Sequence, residues 1–171
     1  MTELLVLAIL LEGNFTLYKI KQNILNIFSV FLSASFGSIH PAVKKLEKNG
    51  YISVKNKMSK GGQKSSVYSI TPKGKKYFEE LMLADISDSP FFAERIINIK
   101  LMLLDSVNKE ARKTVLESIK GYYEIRQINA KDLLENMEKT EEKDFRKKLL
   151  KHYADKVSSE IKWVENFIIR I

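Results

Sequence analysis

Apolar positions recur at helical spacing along most of this chain, and two short stretches break that rhythm. Leu4 to Leu11 is apolar for eight residues and closes at Glu12-Gly13, which predicts a helix buried on all sides over about residues 2–11. Leu17, Ile20, Ile24 and Ile27 share one face of a second helix, with Thr16 placed to cap it. Phe36, Ile39, Val43 and Leu46 are spaced 3, 4 and 3 and make one stripe of a third helix. Ser33 or Ser35 would cap that helix, and Asn49-Gly50 would stop it. Pro41 is tolerated only near a first turn, so the start is expected at residues 35–37. The rhythm then changes to β-branched and aromatic runs, Tyr51-Ile52-Ser53-Val54 and Val67-Tyr68-Ser69-Ile70, joined across Ser59-Lys60-Gly61-Gly62-Gln63-Lys64. Thr71-Pro72 opens a fourth helix with core residues Tyr77, Phe78, Leu81 and Met82.

Asp85 to Pro90 reads as a linker, and the chain beyond it is a helical extension. Three helices are expected, over about residues 92–104, 109–138 and 141–171. In the last, Leu150, Ala154, Val157, Ile161, Val164, Ile168 and Ile171 alternate at spacings of 4 and 3, a heptad seam that asks for a partner helix. The preceding helix carries a looser seam through Leu116, Ile119, Tyr123, Ala130, Leu133 and Met137. Two partners are open to the final seam: this neighbour within the chain, or a second copy. The apolar surface that Trp163 and Phe167 add beside it favours the second copy. Trp163 also has the chemistry to line a ligand cavity, with plain packing as the alternative.

Charge sharpens the picture. Residues 1–84 hold 12 lysines and 5 acidic residues, whereas residues 85–171 hold 17 basic and 16 acidic ones. Ten of the lysines lie between Lys44 and Lys76, so the basic excess coincides with the third helix and the hairpin. A localised excess of this kind suits a polyanion partner. A helix followed by a basic two-stranded hairpin is the layout of a winged helix-turn-helix, which sets one helix in the DNA major groove with the hairpin beside it. The expected fold is therefore mainly α. It has a winged helix-turn-helix domain at 1–84 (three to four helices plus a two-stranded wing), a linker at 85–91, and an antiparallel, coiled-coil-like dimerisation region at 92–171.

Lysine suits phosphate as a point charge, whereas arginine is the usual bidentate reader of guanine, and the first arginine here is Arg95. Lys44, Lys45, Lys48, Lys60 and Lys64 are thus expected to position the DNA backbone, with Gly61 at the wing tip. Base reading falls to Ser35, Ser38, His40 and Gln63. No constellation for catalysis or metal binding is present. His40 and His152 are the only histidines, there is no cysteine, and Gly61-Gly62 leads into a strand rather than a helix that could bind phosphate. Leu4 to Leu11 is too short to span a membrane. No enzyme activity, cofactor or membrane association is expected, and the absence of cysteine fits a reducing cytoplasm. A winged helix that docks protein instead of DNA is the alternative, and the lysines on both helix and wing count against it.

Ser33-Ala34-Ser35, Ser38-Ile39-His40-Pro41, Leu46-Glu47-Lys48-Asn49-Gly50-Tyr51-Ile52, Gly61-Gly62-Gln63-Lys64 and Tyr68-Ser69-Ile70-Thr71-Pro72-Lys73-Gly74 together resemble the PadR-type transcriptional regulators. The likeness covers about residues 1–84. His40 stands where that family usually has tyrosine, and Leu17-Tyr18 where it usually has Gly-Tyr. The resemblance implies a cytoplasmic homodimeric repressor of a palindromic duplex operator, dimerised through its C-terminal helices. It further implies, as in some members, release by a small aromatic or drug-like effector.

Overall fold

A computed structural model describes residues 1–31, 38–58, 64–87, 89–138 and 144–170. Two compact units divide at Ala111 and Arg112, so the stretch expected to be an interdomain linker lies inside the first unit. In that unit α1 (Thr2–Glu12) buries every residue from Leu4 to Leu10 and packs against the next three helices and the sheet. An all-round apolar helix has to be a central one, because no face of it tolerates water.

The helix α2 (Leu17–Phe28) starts as expected at Thr16, whose hydroxyl accepts the Lys19 backbone N–H at 3.3 Å. Its buried face is Ile20, Ile24 and Phe28; Ile27, expected there, is exposed. The helix α3 is described over Ile39–Lys48, and residues 35–37, where its start was expected, lie outside the described residues. Counted from Ile39, Pro41 is third in the helix, where its missing N–H costs no intrahelical bond. The buried face of α3 is Ile39, Ala42, Val43 and Leu46. Phe36 and the capping serines Ser33 and Ser35 lie outside the described residues.

At the end of α3, Gly50 takes φ +73°, the Gly50 N–H bonds to the Glu47 carbonyl, and the Tyr51 N–H bonds to the Leu46 carbonyl, both at 2.9 Å. This paired closure needs a left-handed residue, so the Asn49-Gly50 stop is a glycine requirement.

The strands β2 (Ile52–Met58) and β3 (Lys64–Ile70) form the antiparallel wing, in register from Ile52 opposite Ile70 to Met58 opposite Lys64. A third strand was not expected. Phe15 and Thr16 form β1, which pairs with Tyr68 and Val67 on the other edge of β3. The sheet thereby anchors the root of the wing to the chain ahead of α2. The helix α4 (Pro72–Leu83) opens with Thr71 accepting the Gly74 N–H at 3.0 Å and buries Gly74, Phe78 and Met82. Pro90, expected to end a linker, is instead the first residue of α5 (Pro90–Met102), followed by a 3-10 turn at Leu104–Ser106.

The second unit is built by α6 (Lys109–Glu138) and α7 (Asp144–Arg170). Gln127 donates to the Ser158 hydroxyl at 2.7 Å, and Lys120 meets Glu165 at 2.9 Å. Seven residues back along α6 correspond to seven forward along α7, which makes the pair an antiparallel hairpin. Seven residues are two helical turns, so both polar pairs lie on the same side of the interface.

Candidate nucleic-acid interface

With Ile39, Ala42, Val43 and Leu46 turned into the core, α3 leaves Ser38, His40, Pro41, Lys44, Lys45 and Lys48 exposed. Four of the expected DNA contacts on this helix, Ser38, His40, Lys44 and Lys48, thus share an open surface. Ser38 and His40 sit at its N-terminal end and the lysines further along, the order in which a recognition helix meets base edges and then backbone.

Lys45 is exposed as well, but its ammonium is already engaged. Its Nζ lies 2.6 Å from Oε1 of Glu3. The other oxygen of Glu3 accepts the Tyr77 hydroxyl at 2.8 Å. Desolvation pushes the Glu3 carboxyl up, but the hydrogen bonds from Lys45 and Tyr77 and the charge of Lys45 outweigh it and hold the group below its ordinary value. The hydrogen bond to Glu3, and then its charge, raise Lys45. Burial and the bond to Glu3 push the Tyr77 phenol up to about 12.

The Tyr77 ring stacks on Tyr51 with centroids 4.1 Å apart. Lys73 lies 5.0 Å over that second ring and donates to the Asn49 carbonyl at 3.0 Å. One carboxylate on α1 therefore joins the outer face of α3 to α4 and the root of the wing. Sequence reading missed this cluster; its one sequence signal is Glu3, an acid in the first turn of a helix whose middle is apolar throughout. It also shows that the basic excess is not all available to a partner, since Lys45 and Lys73 have intramolecular bonds.

Beside His40, Leu17, Tyr18, Lys21 and Ile39 line a mainly apolar hollow of about 260 Å³ between the starts of α2 and α3. The Tyr18 hydroxyl accepts from the Gln22 side chain at 2.8 Å. Tyr18 and Lys21 were not among the expected contacts, yet they flank His40 on the same surface.

The wing brings its strands to the same unit, but Ser35, Lys60, Gly61 and Gln63 lie outside the described residues. Lys64 is placed through its backbone as the first residue of β3.

The residues of the expected dimer seam differ in how far they are covered within the single chain. Val157 and Val164 are buried within the chain, at 3% and 0% exposure, and Leu150, Ala154, Ile161 and Ile168 are partly covered. On α6, which meets α7 through Gln127–Ser158 and Lys120–Glu165, Leu116, Ile119, Tyr123 and Ala130 are buried; Leu133 is exposed. A 4-3 spacing asks for a partner helix and does not say which helix fills it. Ile171 lies outside the described residues. On an adjacent face of α7, Phe145, Leu149, Trp163 and Phe167 remain exposed, the first at 85%. The rings of Trp163 and Phe167 lie against each other with centroids 4.6 Å apart. Among the described residues no helix is long and apolar enough to cross a membrane.

No curated protein sequence matches the chain. Among solved structures, the smu.1604c protein of Streptococcus mutans UA159 is similar at 23% identity over 98% of both chains, with a TM-score of 0.47. Bacillus subtilis PadR in complex with operator DNA is similar at 16% identity, over 99% of this chain and 97% of that one, with a TM-score of 0.47. The same protein in complex with p-coumaric acid gives 17% identity, over 97% and 92%, with a TM-score of 0.39. The family model of the transcriptional regulator PadR-like family matches residues 6–80, a span that takes in α3, the wing and most of α4. Through this winged-helix unit, under half of its length, the chain is similar to the PadR-like family of transcriptional regulators.

Proposed function

We propose that the chain binds a palindromic duplex operator as a homodimer and represses transcription by occupying it. The observation that carries this reading is the open face of α3, where Ser38, His40, Lys44 and Lys48 are exposed while the opposite side fills the core. Ser38 and His40, together with Ser35, read base edges. Lys44 and Lys48 hold phosphates, and the wing adds Lys60, Gly61, Gln63 and Lys64. Two α3 helices related by a two-fold axis would enter successive major grooves about 34–36 Å apart, which is why the operator should be a palindrome. Repression of this kind needs nothing beyond occupancy of the site.

The exposed Phe145, Leu149, Trp163 and Phe167 face of α7 supports dimerisation, since a second copy would remove it from water. In the same reading a small aromatic effector reaches the hairpin beside Trp163 and weakens the DNA complex. The test is selection of bound fragments from random duplex DNA by the purified protein. A palindromic consensus is expected, with His40→Ala weakening the selected site and sparing a scrambled duplex, and Lys44→Ala weakening both. Recovery of no consensus, with affinity insensitive to salt, would overturn the reading.

A further inference from the structure

Lys45 stands among the expected phosphate contacts but is held by a carboxylate of its own chain. Glu3 reaches it from the first turn of α1, 42 positions away in sequence. The carboxylate is largely shielded, with 18% of its side chain exposed, while the lysine is 61% exposed. Tyr77 holds the second oxygen, so the carboxylate is fixed in place. Glu3 and Lys45 line a cleft of about 330 Å³ with Ser38 and Pro41 from the start of α3. Any phosphate drawn to Lys45 must therefore displace a fixed anion at short range, or share the lysine with it. By contrast Lys44, one residue earlier and also exposed, has no ion-pair partner among the described residues.

We propose that Glu3 is a selectivity residue of the DNA-binding surface, withholding Lys45 from phosphate so that affinity depends more on base contacts. The inference rests on the DNA-binding reading above. A residue that neutralises one fewer phosphate releases fewer counterions, and this term is common to all sequences. Withholding Lys45 thus lowers non-specific affinity more than it lowers the margin between right and wrong sites.

The experiment measures affinity against salt for the full chain on its selected operator and on a scrambled duplex. Glu3→Gln should tighten scrambled-duplex binding severalfold and steepen the logarithmic salt slope by about 0.9 per protomer. In the Lys45→Ala background the same change should lose most of that effect, which separates release of Lys45 from a general gain of positive charge. Lys45→Ala alone should change the slope less than Lys44→Ala does; this comparison uses only surface lysines and stands even if Glu3→Gln folds poorly. Tyr77→Phe, which removes the other partner of Glu3, should leave the slope unchanged. Equal slope losses for Lys44→Ala and Lys45→Ala, or an unchanged slope in folded Glu3→Gln, would overturn the proposal alone. Failure of the unaltered protein to bind duplex DNA at any salt would overturn it together with the functional reading.

Discussion

The α-carbon of Gly74 faces the carbonyl oxygen of Tyr51 so closely that a Cβ on residue 74 would lie 2.0 Å from that oxygen. Thr71 makes the approach possible. Its N–H bonds to the Tyr51 carbonyl at 3.0 Å, and its hydroxyl lies 2.8 Å from the Gly50 carbonyl while accepting the Gly74 N–H. The first turn of α4 is thus pressed onto the backbone where α3 ends and β2 begins. Gly74→Ala must separate them, because backbone atoms on both sides cannot turn away as a side chain would. A loss of about 3 kcal/mol or more is expected in urea denaturation, with the wing root loosened first.

The two apolar faces of α7 should separate in a mutational test. Val157→Asp buries a charge between α6 and α7 and should unfold the hairpin, at a cost of about 3 kcal/mol or more. Trp163→Asp with Phe167→Asp places charges on a face already in contact with water. Helical circular dichroism should persist while sedimentation at micromolar concentration shifts from dimer to monomer. Unshifted dimers in the second variant would place the self-association surface elsewhere.

Lys100 is 2% exposed, and its ammonium donates to the Ala84 carbonyl at the C-terminal end of α4, where the helix dipole favours a cation. Burial pushes the group below its ordinary value, and Asp85 acts in the opposite direction. Lys100→Ala removes the stem packing and leaves the carbonyl short of a donor, for an expected loss of about 2–4 kcal/mol. Lys100→Met keeps most of the volume and should cost about 1–2 kcal/mol, the difference being readable in thermal or urea unfolding.

The Glu3 cluster should confer a stability plateau with two edges. Glu3 holds its proton less tightly when folded, so its contribution is present above the ordinary carboxyl value of 4.5 and is lost as pH falls through the lower folded value. Tyr77 holds its proton more tightly when folded, so its contribution is complete below pH 10.0 and fades as pH rises towards about 12. The stability difference between unaltered protein and Tyr77→Phe should stay constant across neutral pH and shrink on the alkaline side. Burial also raises Tyr68, so an absorbance titration should show more than one late phenol, and Tyr77→Phe should remove only one.

Local signals in the chain were legible, and long-range choices were not. Thr16, Thr71-Pro72 and Asn49-Gly50 each satisfy backbone groups within a few residues, so caps and stops follow from sequence. The long helix at Lys109–Glu138 follows from uninterrupted periodicity. Phe15-Thr16 is too short to show a period, and its pairing with Tyr68 and Val67 arises only once β3 presents an edge. The Glu3–Lys45 pair joins positions that only tertiary packing brings together. The 4-3 spacing of α7 is visible in the sequence, but spacing alone does not choose between α6 and a second copy as its partner.

The strand order β1-β3-β2 leaves β2 unpaired along one side, among the described residues, for all seven of its positions. Unpaired strand edges invite addition of another chain, and an exposed lysine such as Lys55 is one of the features that discourage it. The positive charge on the wing thus has a second consequence, in keeping molecules apart during synthesis and storage. Substituting wing lysines with valine or isoleucine to abolish DNA binding would favour edge-to-edge association and could be mistaken for loss of function through misfolding. Replacement by glutamate removes the attraction to phosphate and keeps the edge charged.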